Sequence, residues 1–102
     1  MKANEFVKKV GWDLAKEYAD ECPSYCNYLH EHGFYSISET WQLNEKHVLV
    51  LDLKRIIKSY DLVDKWQGLE ASKIKVNLLL TFGFHTQAGQ LQQAIADVES
   101  CQ

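Results

Sequence analysis

The clearest helix pattern in the chain is DLKRIIKSYDLVDKWQG, residues 52–68. Its apolar residues recur at helical spacing and form one stripe: Leu53, Ile56, Ile57, Tyr60 and Val63. Asp52 is suited to cap the start of a helix, and Gly68 is suited to end it. A fully buried large side chain contributes about 1.5–3 kcal/mol, so this stripe is expected to anchor the core. We predict a helix between the two capping residues, with Ile57 and Tyr60 in the core.

Three further segments have helical patterns. Residues 4–20 open with Asn4 as a suitable N-cap, and residues 87–100 carry an apolar stripe that continues to Cys101. The stripe of the first segment consists of Phe6, Val7, Val10, Leu14 and Tyr18. Residues 69–84 fit both a helical and an alternating pattern, so helix and strand both stay open there, and we favour a buried helix.

From Gly33 onwards the pattern changes from helical to alternating. The apolar residues that alternate with polar ones are Tyr35, Ile37, Trp41 and Leu43. Together with the apolar and β-branched residues 47–51, they predict a β-hairpin over about 34–51 with its turn at 44–46. The predicted fold class is therefore α+β and predominantly helical, with four to five helices and this small hairpin; an all-α fold is the alternative. We expect residues 1–102 to form a single compact domain.

The stretch CPSYCNYLHEHG, residues 22–33, contains four residues of the types that bind metals. These candidates are Cys22, Cys26, His30 and His32. Pro23 is suited to the first turn of a helix and Gly33 to the position after its end, so they favour a helix over about 23–32. Such a helix would place three of the four candidates on one side. Zinc needs four ligands, normally from two chain elements, and the sequence has no second pair at zinc spacing. The sequence therefore predicts no metal and no cofactor. A Cys–His nucleophile pair also lacks the surrounding signature that such catalysis needs.

The composition indicates a globular domain and argues against nucleic-acid binding. The 102 residues are 46% hydrophobic and 25% charged, with a net charge of −3. Residues 1–51 carry five Lys and eight Asp or Glu, whereas residues 52–102 carry six basic and six acidic residues. Neither half has the strong positive charge on which nucleic-acid affinity depends. There is no signal-peptide core and no bilayer-spanning run, so we expect a cytosolic protein without a membrane partner and with free thiols.

Two of the three tryptophans lie off the apolar stripes of their predicted helices. Trp12 projects among lysines, and Trp66 shares a helix face with Leu62 and Arg55. Trp and Arg are enriched among the residues that dominate protein interfaces. We therefore predict that Trp12, Arg55, Leu62 and Trp66 bind a protein partner. Burial of each ring under a neighbouring element is the alternative.

Three segments resemble recurrent segments of small proteins from lambdoid phages and enterobacterial prophages. They are EFVKKVGWDLAKEYADE (residues 5–21), LDLKRIIKSYDLVDKWQGLEASK (residues 51–73) and LQQAIADVESCQ (residues 91–102). The resemblance covers about half of the chain. It implies a mobile-element origin and expression in a bacterial cytoplasm, and it brings no activity and no site residues with it.

The predicted function is non-catalytic binding of a bacterial protein, encoded by the host or by the phage. A nucleic-acid-binding regulator is the second hypothesis, and a metal- or thiol-dependent enzyme is the third. The sequence does not identify the partner and does not fix the oligomeric state, which leaves a homodimer open.

Overall fold

The computed structural model of the chain describes residues 1–37 and 46–102. Within these residues the helices are α1 (Ala3–Val10), α2 (Trp12–Glu21), α3 (Val50–Lys65), α4 (Leu69–Thr81) and α5 (His85–Glu99). The strands are β1 (Tyr28–His30), β2 (Tyr35–Ser36) and β3 (His47–Leu49). The predicted class, a predominantly helical α+β fold, is confirmed, and the all-α alternative is not adopted. In the two described ranges, no helix is both long and apolar enough to cross a bilayer.

The chain forms two compact units, Met1–Ile57 and Lys58–Gln102, called here the N-terminal unit and the C-terminal unit. The N-terminal unit buries apolar residues of α1, α2, β1, β3 and the first part of α3, including Phe6, Leu29 and Leu53. The C-terminal unit buries residues of the end of α3, of α4 and of α5. Whether both units fold together as one domain stays a prediction.

The segment predicted as one helix over residues 4–20 is two helices separated by Gly11. This residue has a φ of 88°, which a residue with a side chain rarely adopts. Its N–H donates to the Val7 carbonyl at 2.8 Å and ends α1. The break changes the helical phase, so that α2 buries Ala15 and Ala19 while Leu14 is exposed.

The start of α1 also differs from the prediction. The helix begins at Ala3 with Lys2 as its N-cap, so Asn4 lies inside the first turn. The backbone N–H of Lys2 donates to the Glu5 carboxylate at 3.4 Å. Glu5 therefore satisfies a terminal donor of the helix, which is the role expected of a side chain near a helix start.

The helix predicted over residues 23–32 was wrong, because this segment contains β1. Leu29 is fully buried between the half-buried Tyr28 and His30, which is the alternation of a strand. Leu29 lies opposite Val48 of β3, which is also buried. Long-range pairing and burial therefore outweigh the local helix punctuation of this segment.

The sheet has the order β2-β1-β3, and both pairings are antiparallel. Strands do lie within the predicted hairpin over 34–51, but β2 and β3 each pair with β1 and not with each other. Trp41, Leu43 and most of the predicted turn at 44–46 lie outside the described residues. The hairpin that the structure contains joins β1 to β2.

The β1–β2 connection is a three-residue loop, residues 31–33, closed by the bonded pair His30 and Phe34. The N–H of His30 donates to the Phe34 carbonyl at 2.7 Å, and the N–H of Gly33 donates to the His30 carbonyl at 2.8 Å. Gly33 has a φ of 95°. A glycine in the left-handed region is the usual third residue of such a loop, so the glycine predicted to end a helix closes a hairpin instead.

Helix α3 is confirmed, with two corrections to its details. It begins at Val50, so Asp52 lies in its first turn and does not cap it. The buried residues of its stripe are Leu53, Ile56, Ile57 and Val63. Tyr60 is only half-buried, so the prediction that it lies in the core was wrong.

Residues 69–84, which fitted both helix and strand, form α4 followed by a turn. The prediction of a helix is confirmed, but the helix is not buried all round. Ser72 and Val76 are buried, whereas Ile74 and Leu78 are exposed. The last predicted helix is confirmed as α5, which packs against α4 within the C-terminal unit.

Candidate protein-binding site

A groove of about 290 Å³ opens on the C-terminal unit between the end of α3, α4 and α5. Its apolar lining consists of Leu62, Trp66, Leu79 and Leu91. Its polar lining consists of Lys65, Lys75, Gln87 and Gln90. We call it the Trp66 groove. A concave, mainly apolar surface with a few polar groups at its edge is typical of binding sites.

The Trp66 ring is half-buried and lies close to two ammonium groups. The Nζ atom of Lys75 is 4.5 Å from the ring centroid, and the Nζ atom of Lys65 is 5.8 Å from it. Cations at these distances are attracted to the face of an indole ring, by about 0.5–1 kcal/mol at exposed sites. Neither lysine forms an ion pair with any side chain in the described part of the chain.

The position of Trp66 follows from the way in which α3 ends. The Val63 carbonyl accepts hydrogen bonds from the N–H groups of Trp66 at 3.1 Å and of Gly68 at 3.0 Å. Gln67 adopts a φ of 70°, the left-handed conformation that often follows a helix end. The hydroxyl of the fully buried Ser72 also donates to the Val63 carbonyl, at 3.3 Å, and so ties the start of α4 to the end of α3.

The side of α4 next to the groove is apolar and exposed. The exposed fractions are 62% for Ile74, 48% for Leu78 and 72% for Phe82. We call these three residues the α4 outer face, although Phe82 is the C-cap that directly follows the helix. Lys75 and Leu79 line the groove, and each directly follows a residue of the outer face. Because successive helical residues are about 100° apart, the groove and the outer face are neighbouring sides of one helix.

The structure places the four predicted protein-binding residues in different units. Leu62 and Trp66 meet in the Trp66 groove, as the shared helix face suggested. Trp12 is the first residue of α2 and is half-buried in the N-terminal unit. Arg55 is an exposed residue of α3 and belongs to the N-terminal unit as well. Both make interactions of their own.

Sequence reasoning missed the groove residues that come from α4 and α5. Lys75 and Leu79 come from α4, and Leu91 comes from α5. The spacing of four between Lys75 and Leu79 puts both on one side of a helix, but it does not indicate which helix end that side meets. The outer face residues are visible in the sequence at the same spacing, where they suggested a buried helix and not an exposed surface.

The candidate metal ligands divide between two places in the N-terminal unit. Cys22 ends α2, and its thiol donates to the carbonyls of Pro23 and Cys26, both at 3.4 Å. Burial raises the pKa of the Cys22 thiol, against a smaller opposing effect of Lys54. A raised thiol pKa is the opposite of what a reactive thiolate requires.

His30 and His32 lie instead at the β1–β2 hairpin, beside a third histidine that the sequence did not connect with them. The ring centroids of His30 and His47 are 4.9 Å apart, and those of His30 and His32 are 5.1 Å apart. The N–H of His32 donates to Nδ1 of His30 at 3.1 Å. Glu31 pairs with Lys9 at 2.8 Å. Over residues 1–37 and 46–102, no three His, Cys, Asp or Glu side chains are arranged to hold a metal ion.

Register explains why His30 and His47 meet. The N–H of Val50 donates to the Asn27 carbonyl, and the N–H of Glu31 donates to the Lys46 carbonyl. These two residue pairs are therefore hydrogen-bonded positions of the β1–β3 ladder. His30 and His47 therefore face each other at the intervening position without backbone bonds, where opposite side chains are closest. The contact between the two rings depends on the pairing of β1 with β3, which brings together residues that are seventeen positions apart in the sequence.

The binding-site geometry thus combines an aromatic anchor, two ammonium groups and a neighbouring apolar helix face in the C-terminal unit. No protein-family model, curated protein or solved structure matches the chain.

Proposed function

We propose that this protein acts without catalysis, by binding another protein through the Trp66 groove and the α4 outer face. The partner is a bacterial or phage protein, and the complex forms in the bacterial cytoplasm, in keeping with the resemblance to small phage and prophage proteins. The observation that carries the proposal is the exposed apolar side of α4 next to a half-buried tryptophan.

Energetics support a binding role for this surface. A helix that is apolar on both sides is normally covered on both sides. Helix α4 buries Val76 against its own unit yet exposes Ile74 and Leu78, and Phe82 is exposed at its C-cap. A contiguous exposed apolar patch of this kind is typical of interaction sites. Trp66 supplies the rigid aromatic ring that most often dominates the binding energy of an interface.

The proposal is tested by pull-down of the tagged protein from a bacterial lysate treated with nuclease, followed by identification of retained proteins. Variants Trp66→Ala and Ile74→Ser/Leu78→Ser should lose a partner that the unaltered protein retains. Replacement of a hot-spot residue typically weakens binding by about 2 kcal/mol or more, which is roughly thirtyfold. Leu51→Ser replaces an equally exposed apolar residue of α3 that belongs to the other unit, and it is the matched control.

Far-UV circular dichroism of each variant should match that of the unaltered protein, since Ile74 and Leu78 are exposed. Equal retention of every partner by all variants would contradict the proposed surface. Recovery of proteins only when nucleic acid is left intact would favour the nucleic-acid-binding hypothesis instead.

A further inference from the structure

The α4 and α5 walls of the groove contain no acidic residue between Glu70 and Asp97. From Ala71 to Ala96 the sequence has no Asp and no Glu, whereas it has Lys73, Lys75 and His85. Lys73 is paired with Glu70 and Glu99, at 4.0 and 3.8 Å. On the α4 side of the groove the charge that remains is therefore that of Lys75, while Lys65 lies on the α3 side, where Asp61 and Asp64 are also exposed.

The two groove lysines are available to an anionic group. Lys65 and Lys75 lie at the Trp66 ring and form no ion pair with any side chain among the described residues. An ammonium at the edge of an apolar groove pairs favourably with a partner's carboxylate, because the charge complementarity steers association and fixes register. The flanking outer face is apolar, so the same partner must also offer apolar side chains.

From this arrangement we propose that the groove binds an acidic amphipathic helix of the partner protein. Its apolar side chains cover Ile74 and Leu78 and contact Trp66, and its carboxylates pair with Lys65 and Lys75. An amphipathic helix laid against an apolar groove is a recurrent mode of peptide recognition. This proposal rests on the proposed function, because it specifies the chemistry of the partner.

A second copy of this chain fits the surface less well. Its acidic helix is α2, which carries Asp13, Glu17, Asp20 and Glu21. That helix turns Ala15 and Ala19 into its own unit and exposes only Leu14 among its large apolar residues. It therefore has no apolar stripe to offer to the α4 outer face.

The experiment is selection of a displayed library of random 16-residue peptides on the immobilised protein. Selected peptides should be enriched in Asp and Glu and should carry apolar residues at helical spacing. Their affinity for the Lys65→Glu/Lys75→Glu variant should fall at least about tenfold, since each substitution reverses a charge that faces the carboxylates. Lys8→Glu reverses the charge of an exposed lysine of α1 that does not line the groove, and it should leave the affinity unchanged.

A reciprocal exchange completes the test. A selected peptide with its acidic residues replaced by Lys should lose binding to the unaltered protein and regain it with the double variant. Selection of basic or uncharged peptides, failure of selection, or equal binding by the double variant would overturn the proposal. So would sedimentation that shows a dimer which Ile74→Ser/Leu78→Ser dissociates, because the second copy would then be the occupant.

The two proposals fail in different ways. If Trp66→Ala abolishes binding of a partner and the double lysine variant retains it, the protein-binding function stands and the acidic helix is wrong. If Trp66→Ala has no effect on any partner or peptide, the proposed function itself is wrong.

Discussion

At the scale of single residues, two glycines differ in whether the structure can accommodate a side chain in their place. Gly33 has a φ of 95°, and an added Cβ would lie 3.0 Å from the Tyr18 hydroxyl oxygen. Gly89 lies inside α5, and an added Cβ would meet nothing within 4 Å. Backbone conformation and contacts therefore predict opposite effects of the same substitution.

We expect Gly33→Ala to lower the free energy of unfolding by about 2 kcal/mol, since the left-handed conformation alone costs a residue with a Cβ about 1–2 kcal/mol. Gly89→Ala should raise it by about 0.5–1 kcal/mol, because alanine loses less backbone entropy in a helix. Urea unfolding of both variants measures the two effects. Equal effects of the two substitutions would contradict the hairpin geometry.

A second prediction at this scale concerns His30 and pH. Its half-buried position lowers the pKa of His30, and the neighbouring His47 and His32 lower it further, with Lys46 adding a smaller effect and Glu31 opposing them. The hydrogen bond accepted by Nδ1 also needs the unprotonated nitrogen. The imidazole therefore binds a proton more readily in the unfolded chain than in the folded chain. The stability that comes from unprotonated His30 is present above about pH 6.5, the ordinary histidine pKa, and it is lost as the pH falls through the lower pKa of the folded state.

The measurement is the free energy of unfolding at about pH 7.5 and about pH 5.5, which lie on either side of the ordinary histidine pKa. The decrease in the free energy of unfolding between these two pH values should be smaller for His30→Gln than for the unaltered protein. Glu31 does not explain the difference, because its hydrogen bond with Lys9 lowers the pKa of its carboxyl group and keeps it ionised over this range. An identical loss in both proteins would refute the assignment to His30.

At the scale of elements, α3 provides a matched pair of apolar residues on one helix. Ile57 is 7% exposed, whereas Leu51 is 68% exposed. Ile57→Ala should lower the free energy of unfolding by about 2–5 kcal/mol, because truncation of a buried branched residue leaves a cavity. Leu51→Ala should change it by no more than about 0.5 kcal/mol. Denaturation midpoints by far-UV circular dichroism compare the two; a small effect of Ile57→Ala would mean that this side of α3 is not packed.

The elements also separate what local sequence can predict from what it cannot. Helix α3 was predictable because spacing, length and the terminal glycine all agree. The strand β1 was not, because its single buried Leu29 depends on Val48, which is nineteen residues away, while Pro23 and Gly33 locally favour a helix. Gly11 stands within a continuous helical pattern, so that only its φ of 88° reveals the break.

The candidate site follows the same rule. Leu62 and Trp66 could be placed together from the sequence because they lie four residues apart at the end of α3, so that their spacing alone brings them together. Lys75 and Leu91 join them only after α4 and α5 have packed, and no pattern within either helix indicates that meeting. Local periodicity predicts which residues share a face, and tertiary packing determines which faces meet.

At the scale of the whole molecule, we predict that both units unfold in one cooperative transition, as expected for a single domain. Helix α3 begins in the N-terminal unit and ends in the C-terminal unit, and it contributes buried residues to each. Unfolding of either unit would therefore expose buried residues at one end of α3, a helix whose other end packs in the other unit. Small single domains usually behave in this way.

Two variants report on the units separately. Fluorescence of Trp41→Phe/Trp66→Phe follows Trp12 alone in one unit, and fluorescence of Trp12→Phe/Trp41→Phe follows Trp66 alone in the other. For each variant the fluorescence transition in urea should coincide with its far-UV circular dichroism transition. A fluorescence midpoint that departs from the circular dichroism midpoint in either variant would show that the units unfold independently.

The exposed apolar side of α4 also affects how the folded state would respond to common probes. Dyes such as ANS become fluorescent on exposed hydrophobic surface, and their binding is used as a sign of a molten globule. Here Ile74, Leu78 and Phe82 offer such a surface on a helix whose opposite side is buried. Dye fluorescence from this protein would thus report its native surface, and it should coexist with the near-UV circular dichroism of ordered tryptophans and fall when the surface is occupied.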